Sequence, residues 1–275
     1  MLKEIIDLYD FNFKKSLGQN FLIDKNFVDK IVDAAGIESQ NVLEIGPGIG
    51  TITYEMAKVA KKVVAVEIDQ NLMPILDQNL DEFDNTIVIN EDILKVDLGK
   101  LIENEFNGES FKVVSNLPYY ITTPIIEKLI TSNLPCTDMT IMVQKEVGQR
   151  MLADENDKEY SSLSVFVKFY SEAKFLVNLP KSVFMPQPKI DSTILNLRLR
   201  LYDDNVNHNL LFKLVRAGFN KRRKTILNSL SDVASKECLR TVFKRLDLKE
   251  NLRAENLSLD DFINLANELE KCGYK

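Results

Sequence analysis

Asn116-Leu117-Pro118-Tyr119 follows directly on the strand-like run Phe111-Lys112-Val113-Val114. These residue types suit work on the exocyclic amine of a base. Such an amine is a poor nucleophile, because its lone pair is delocalised into the ring. Two acceptors on its N–H groups, the Asn116 side-chain oxygen and the Leu117 or Pro118 carbonyl, pull it toward a tetrahedral shape. The lone pair then points at an electrophile. Pro118 stiffens the turn, and Tyr119 offers a ring on which the base can stack. By itself the tetrad would also serve as a strand-ending turn.

A second chemical signal lies upstream, in Glu44-Ile45-Gly46-Pro47-Gly48-Ile49-Gly50-Thr51. Glycines at alternate positions let a backbone turn sharply and approach a ligand at the carboxyl end of a strand. A dinucleotide loop reads G-x-G-x-x-G. Here Thr51 takes the last glycine's place and Pro47 sits inside the loop, a pattern that favours S-adenosylmethionine. The next strand-like run ends Val66-Glu67-Ile68-Asp69, and an acid about twenty residues past such glycines can accept from both ribose hydroxyls. Glu67 is expected in that role and Asp69 as the next helix's N-cap. A third run ends Asn90-Glu91-Asp92, which offers Asp92 to an adenine amino group. Each acid taken singly would serve equally well as a cap.

Composition removes competing chemistries. His208 is the only histidine, so no multi-histidine metal site can form. It lies in the polar stretch from Asp203 to Asn209, expected as a surface loop and linker. Three cysteines, Cys136, Cys238 and Cys272, contain no C-x-x-C pair and read as free thiols. Neither a G-x-S-x-G elbow nor a P-loop is present. No apolar run approaches the ~18 residues of a membrane span, and the start, Met1-Leu2-Lys3-Glu4, reads as no secretion signal. A cytoplasmic monomer without metal or membrane is expected.

Elements that would position these residues alternate along the chain, as in a parallel sheet with crossover helices. Strands are expected at 41–45, 63–66, 86–89, 111–114 and 139–143, with a closing hairpin from 175–177 and 192–197. In the first helix, ahead of the strand at 41–45, Phe27, Val28, Ile31, Val32 and Ala35 share one face, with Asp24 as cap and Gly36 as stop. If Asn71 caps the later helix, Pro74 falls harmlessly in its first turn. After Arg200 no β-type run remains. Residues 210–219, 233–246 and 259–269 read as helices, so a boundary is expected near 202. The fold class is therefore α/β: a Rossmann-like domain over 1–202 and a small helical domain over 203–275.

Charge is uneven. The net charge is −6, but residues 201–275 carry +3 and the rest −9. Lys221-Arg222-Arg223-Lys224 lies in a stretch, Leu210 to Ser231, that holds no acid. Arg222, Arg223 and Lys224 are expected to meet RNA phosphates, although such a run is commonly a solvated helix face. Phe184-Met185-Pro186-Gln187-Pro188-Lys189-Ile190-Asp191-Ser192 is stiffened by prolines. Its Phe184 either packs inward or faces Tyr119 across a flipped base.

Together these segments resemble a known family, the small-subunit ribosomal RNA adenine dimethyltransferases. The resemblance runs through Lys15-Ser16-Leu17-Gly18-Gln19-Asn20-Phe21-Leu22, the glycine loop, residues 116–124, Val143-Gln144-Lys145-Glu146-Val147, 184–192, 219–230 and 253–258. It implies that Asn20 and Leu22 touch the cofactor, and it supports Gly46, Glu67, Asp92 and Asn116 as further contacts. From their own chemistry, Asn116, Pro118, Tyr119 and Phe184 are the expected catalytic set. The resemblance also implies N6,N6-dimethylation of two adjacent adenosines in the 3′-terminal hairpin loop of 16S ribosomal RNA, on a partly assembled (pre-30S) small subunit. Gly148, Gln149 and Met151 depart from the expected pattern and bear on helix packing. Two rival readings share the glycine loop and tetrad: a large-subunit methyltransferase of the antibiotic-resistance type, and a mainly non-catalytic assembly factor. A dehydrogenase is more distant.

Overall fold

The computed structural model describes residues 13–14, 17–200, 205–221 and 223–274. Its strands are β1 (Phe21–Leu22), β2 (Asn41–Ile45), β3 (Lys62–Glu67), β4 (Thr86–Asn90), β5 (Phe111–Asn116), β6 (Cys136–Gln144), β7 (Ser171–Leu179), β8 (Phe184–Met185) and β9 (Ser192–Leu199). The α-helices are α1 (Lys25–Ala35), α2 (Thr51–Ala57), α3 (Met73–Asn79), α4 (Leu98–Phe106), α5 (Thr122–Thr131) and α6 (Lys145–Leu152). They continue with α7 (Ser162–Tyr170), α8 (His208–Asn220), α9 (Ile226–Ser229), α10 (Lys236–Arg245) and α11 (Leu259–Lys271).

Seven strands form one sheet in the order β4-β3-β2-β5-β6-β9-β7. The first five named are parallel, and β9 returns antiparallel to β6. Val63, Val64, Ala65 and Val66 are all buried, as both faces of an inner parallel strand must be. The chain leaves β2 toward β3 on one side, and β5 pairs on the other. That reversal opens a crevice at the carboxyl ends of β2 and β5. All seven expected strands are present, β2 at the expected bounds and the others longer by one to six residues.

Local signals explain the helix ends. The Asp24 side chain accepts from the Asn26 N–H, and Gly36 ends α1 in the left-handed region. Ahead of α3, Asp69 caps a 3-10 turn, Gln70–Leu72, its carboxylate accepting from the Asn71 N–H, so Asn71 is not the cap; α3 follows with no side-chain cap of its own and with Pro74 in its first turn. Gly148 departs from the expected pattern for a steric reason. A Cβ there would stand 2.2 Å from Thr193 Cγ2, so only glycine lets α6 lie so close to β9.

The chain divides into two units. One comprises the described part of Met1–Gly148 with Ala173–Leu199; the other comprises Gln149–Glu172 with the described residues from Arg200 onward. The second unit thus takes in residues 149–172 as well as the residues that follow the expected boundary near 202. Tyr160 and Val165 join a core with Leu210, Leu214, Phe243 and Phe262. The apolar run of α7 carries no mark of which core it enters. The stretch around His208 is also corrected. Asn207 caps α8, its side chain accepting from the Leu210 N–H at 3.0 Å. His208 begins that helix, with its ring edge-on to Phe169 at 4.9 Å between centroids.

Candidate active site

Four parallel strands deliver their carboxyl ends to one pocket. Gly46 follows β2, Glu67 ends β3, Asp92 follows β4 and Asn116 ends β5, and all four line the pocket. Leu117, Pro118, Tyr119 and Tyr120 line it too. The Asn116 amide is oriented by its nitrogen, which donates to the Asn20 carbonyl at 3.0 Å. With the nitrogen so committed, Oδ1 is the atom available as an acceptor.

The glycine loop and Glu67 hold each other. Glu67 Oε2 accepts from the Gly48 N–H at 3.2 Å, and Oε1 from the Asp69 N–H at 2.8 Å. Each carboxylate oxygen keeps further lone pairs for a ligand. Burial pushes the Glu67 pKa up, while the two backbone donors oppose that shift. Gly48 has φ +63° and a Cβ on it would stand 2.7 Å from the Phe21 ring. The loop thus closes onto a phenylalanine that also lines the pocket.

A smaller recess shares Phe21, Gly46 and Asn116 with the pocket and adds Glu44 and Thr51. Thr51 Oγ1 is buried there without a hydrogen-bond partner. Glu44 is 1% exposed and accepts from the Thr53 hydroxyl at 2.6 Å. Burial, with the nearby Glu67 charge, pushes its pKa up to about 8. A raised carboxyl pKa means that the folded chain keeps a proton that the unfolded chain releases near 4.5. Stability should therefore fall as pH rises from 4.5 to about 8, then level off. Glu44→Gln should remove this contribution, so its melting temperature should gain on wild type across that window. Parallel melting curves would show that Glu44 is ionised in the folded chain.

Residues 17–20 form a strap that lines the pocket, and here sequence reasoning missed the fastening. Asp69 binds Lys14 Nζ at 2.6 Å and Gln19 Nε2 at 2.7 Å. Burial pushes the Asp69 pKa up, but these partners and the Asn71 N–H outweigh it and hold it below the ordinary range. Leu17, Gly18, Gln19 and Asn20 then line the pocket. Leu22 is buried and lines the recess. Lys15 and Ser16 of the same motif lie outside the described residues. A repeated charge pattern would not have revealed the fastening; only the pairing of Gln19 and Lys14 with one cap residue does.

Phe184 requires a correction. It pairs with Leu22 across the two-stranded β1–β8 ribbon, is 3% exposed, and packs with Val28, Ile31 and Leu179. It does not line the pocket, so the inward-packed alternative holds. The segment reaches Tyr119 through Ser192 instead, whose hydroxyl lies 2.7 Å from the Tyr119 hydroxyl. Burial raises the Tyr119 pKa, with Ser192 opposing. Phe184→Ala should accordingly destabilise the chain by about 3–5 kcal/mol, as core aromatic deletions do. Denaturant unfolding with unchanged stability would return Phe184 to the substrate.

Arg223 and Lys224 are exposed, and Lys221 pairs with Asp232; Arg222 lies outside the described residues. Among the described residues no group of acids, cysteines and histidine could hold a metal ion, and no helix is long and apolar enough to cross a membrane.

A switch-point pocket with a glycine loop, a buried acid at a strand end and an Asn-Leu-Pro-Tyr strand end is the arrangement of a Rossmann-like methyltransferase. The comparisons agree and go further. The chain belongs to the ribosomal RNA adenine dimethylase family, whose model matches residues 10–271. It is 48% identical over 271 residues to the ribosomal RNA small subunit methyltransferase A of Clostridioides difficile, covering 96% of this chain and 93% of that one. Among solved structures it is similar to a dimethyladenosine transferase from Plasmodium falciparum, with TM-score 0.79, 30% identity, and coverage of 92% and 98%. The 23S rRNA methyltransferase ErmE matches with TM-score 0.68 at 24% identity, covering 91% and 99%. At that identity ErmE shares the fold alone.

Proposed function

We propose that this chain transfers methyl groups from S-adenosylmethionine to N6 of two adjacent adenosines in the 3′-terminal hairpin loop of 16S ribosomal RNA, within a partly assembled small subunit. The observation that carries the chemistry is the Asn116 amide, whose nitrogen is tied to the Asn20 carbonyl while its oxygen serves the pocket. The choice of subunit is supported by the small-subunit relative and by the Phe184–Ser192 and Phe219–Leu230 segments.

The residues fit the cofactor. Glu67 suits a ribose, Asp92 an adenine amino group, and the Gly46–Gly48 backbone a close approach. The recess at Thr51 and Glu44 suits a polar amino-acid end, which would give the orphaned Thr51 hydroxyl a partner. Asn20 and Leu22, on the strap, would close over it. S-adenosylmethionine supplies an activated methyl group on its sulfonium. The chain's own task is to hold the amine. Asn116 Oδ1 and the Leu117 or Pro118 carbonyl accept its two N–H bonds, and the Tyr119 ring, anchored by Ser192, supports the base. The first transfer replaces one N–H with a methyl group, the proton leaving to solvent, and one of these acceptors holds the remaining N–H for the second. With labelled cofactor and separated, unmethylated ribosomal subunits, label should enter the small subunit. Label confined to the large subunit would favour the resistance-type reading.

The exposed Arg223 and Lys224, with Arg222, are assigned to RNA phosphates in the second unit. Changing all three to alanine should weaken RNA binding and flatten its salt dependence, by a slope of about one per lost phosphate contact. Cofactor affinity should not change. Normal binding at both low and high salt, with an unaltered melt, would leave the run a solvated surface.

A further inference from the structure

Lys128 does not line the pocket, yet it holds the turn that carries Asp92. It lies in the last turn of α5. Its Nζ donates to the carbonyls of Ile93 at 2.9 Å, Leu94 at 2.9 Å and Val96 at 2.6 Å. An ammonium has three N–H donors, and each of them meets a carbonyl here. Three carbonyl dipoles that converge on one point repel one another unless a cation stands between them. Lys128 therefore sets the backbone path of this turn.

The same turn fixes the Asp92 side chain. Asp92 Oδ1 accepts from the Leu94 N–H at 3.0 Å, and the Asp92 carbonyl accepts from the Lys95 N–H at 2.7 Å and the Val96 N–H at 3.1 Å. Leu94 and Val96 thus bind Asp92 through their N–H groups and Lys128 through their carbonyls. Asp92 Oδ2 is 3.7 Å from the Lys95 ammonium, beyond hydrogen-bond length, and can accept from a ligand. Ile93, between Asp92 and Leu94, is buried and lines the pocket. A shift of the turn would move both residues.

The other end of α5 is also at the site. Thr122, its first residue, donates its hydroxyl to the Pro118 carbonyl at 3.0 Å. Lys128 follows Thr122 within the helix, a rise of about 9 Å. One rigid rod thus joins the Pro118 turn to the Asp92 turn.

We infer that Lys128 is a positioning residue for the cofactor: it orders the 92–96 turn so that Asp92 meets the adenine amino group, without itself touching the ligand. The inference rests on the reading of Asp92 as the adenine contact. A lysine that served stability alone would affect every ligand of the pocket alike. A lysine that acts through Asp92 alters the discrimination between cofactors with and without that amino group.

Calorimetry on the full chain separates the two, with S-adenosylmethionine and with its analogue bearing hydrogen in place of the adenine amino group. Wild type should prefer S-adenosylmethionine by about tenfold, the effect of one charge-assisted hydrogen bond. Asp92→Ala and Lys128→Met should each lose most of that preference and bind the analogue nearly as wild type does. In the double variant the losses should not add. Lys128→Arg, which keeps a cation and its donors, should recover most of the preference. Lys128→Gln, which keeps two donors but no charge, tests the same point if the methionine variant folds poorly, and a thermal melt accompanies each variant. A preference lost in Asp92→Ala but kept in Lys128→Met and Lys128→Gln would overturn the inference and leave the adenine contact standing. Equal weakening of both ligands by the lysine variants would overturn it too, making Lys128 a support of the fold. An unchanged preference in Asp92→Ala would remove the adenine contact itself, and the inference with it.

Discussion

Asn116→Ala is expected to slow methyl transfer by about 10²–10³-fold, the cost of removing one hydrogen-bonding group that matters most in the transition state. RNA affinity should stay near wild type. The amide nitrogen holds the Asn20 carbonyl, so the variant also releases the strap, and some cofactor affinity should be lost with it. Single-turnover rates at saturating cofactor and RNA separate the two effects. A rate near wild type under those conditions would remove Asn116 from the chemistry and leave it a strap anchor.

Glu67→Ala should weaken S-adenosylmethionine binding at least tenfold. A charge-assisted hydrogen bond is worth about 1.5–3 kcal/mol when removed, and about 1.4 kcal/mol is a factor of ten. The variant also leaves the Gly48 and Asp69 N–H groups without their shared acceptor, so a thermal melt must accompany the calorimetry. Glu67→Gln keeps an acceptor of the same shape and should lose less. Because burial raises the Glu67 pKa, cofactor affinity should begin to fall, on acidification, at a higher pH than an ordinary carboxylate would produce. Unchanged affinity in the alanine variant would exclude Glu67 from the cofactor site.

The sheet and its pocket were legible because their signals are local. Each parallel strand is a short apolar run, and each proposed site residue stands at or just after its end, as with Glu67 and Asn116. Asp24 and Gly36 mark α1 for the same reason. What escaped depends on pairs far apart in the chain. Nothing near Leu22 announces that it will pair with Phe184, and an aromatic among prolines looks alike whether it meets a base or a core. Gln19 and Lys14 are ordinary polar residues until Asp69 gathers them. Residues 149–172 join the second core through Tyr160 and Val165, which have the same apolar character as residues that stay with the sheet. Gly148 registers as an oddity in sequence and as a necessity only once Thr193 lies against it.

The central claim, that Asn116 and its neighbouring carbonyl hold an adenosine amine for repeated methylation, is tested most directly at the product. Unmethylated small subunits are incubated with the protein and labelled S-adenosylmethionine, the RNA is digested, and the labelled nucleosides are identified by mass spectrometry and mapped. The account predicts N6,N6-dimethyladenosine at two adjacent positions of the 3′-terminal hairpin loop, with the label almost absent for Asn116→Ala. Label on a ring carbon or a ribose hydroxyl, or undiminished label with Asn116→Ala, would contradict it.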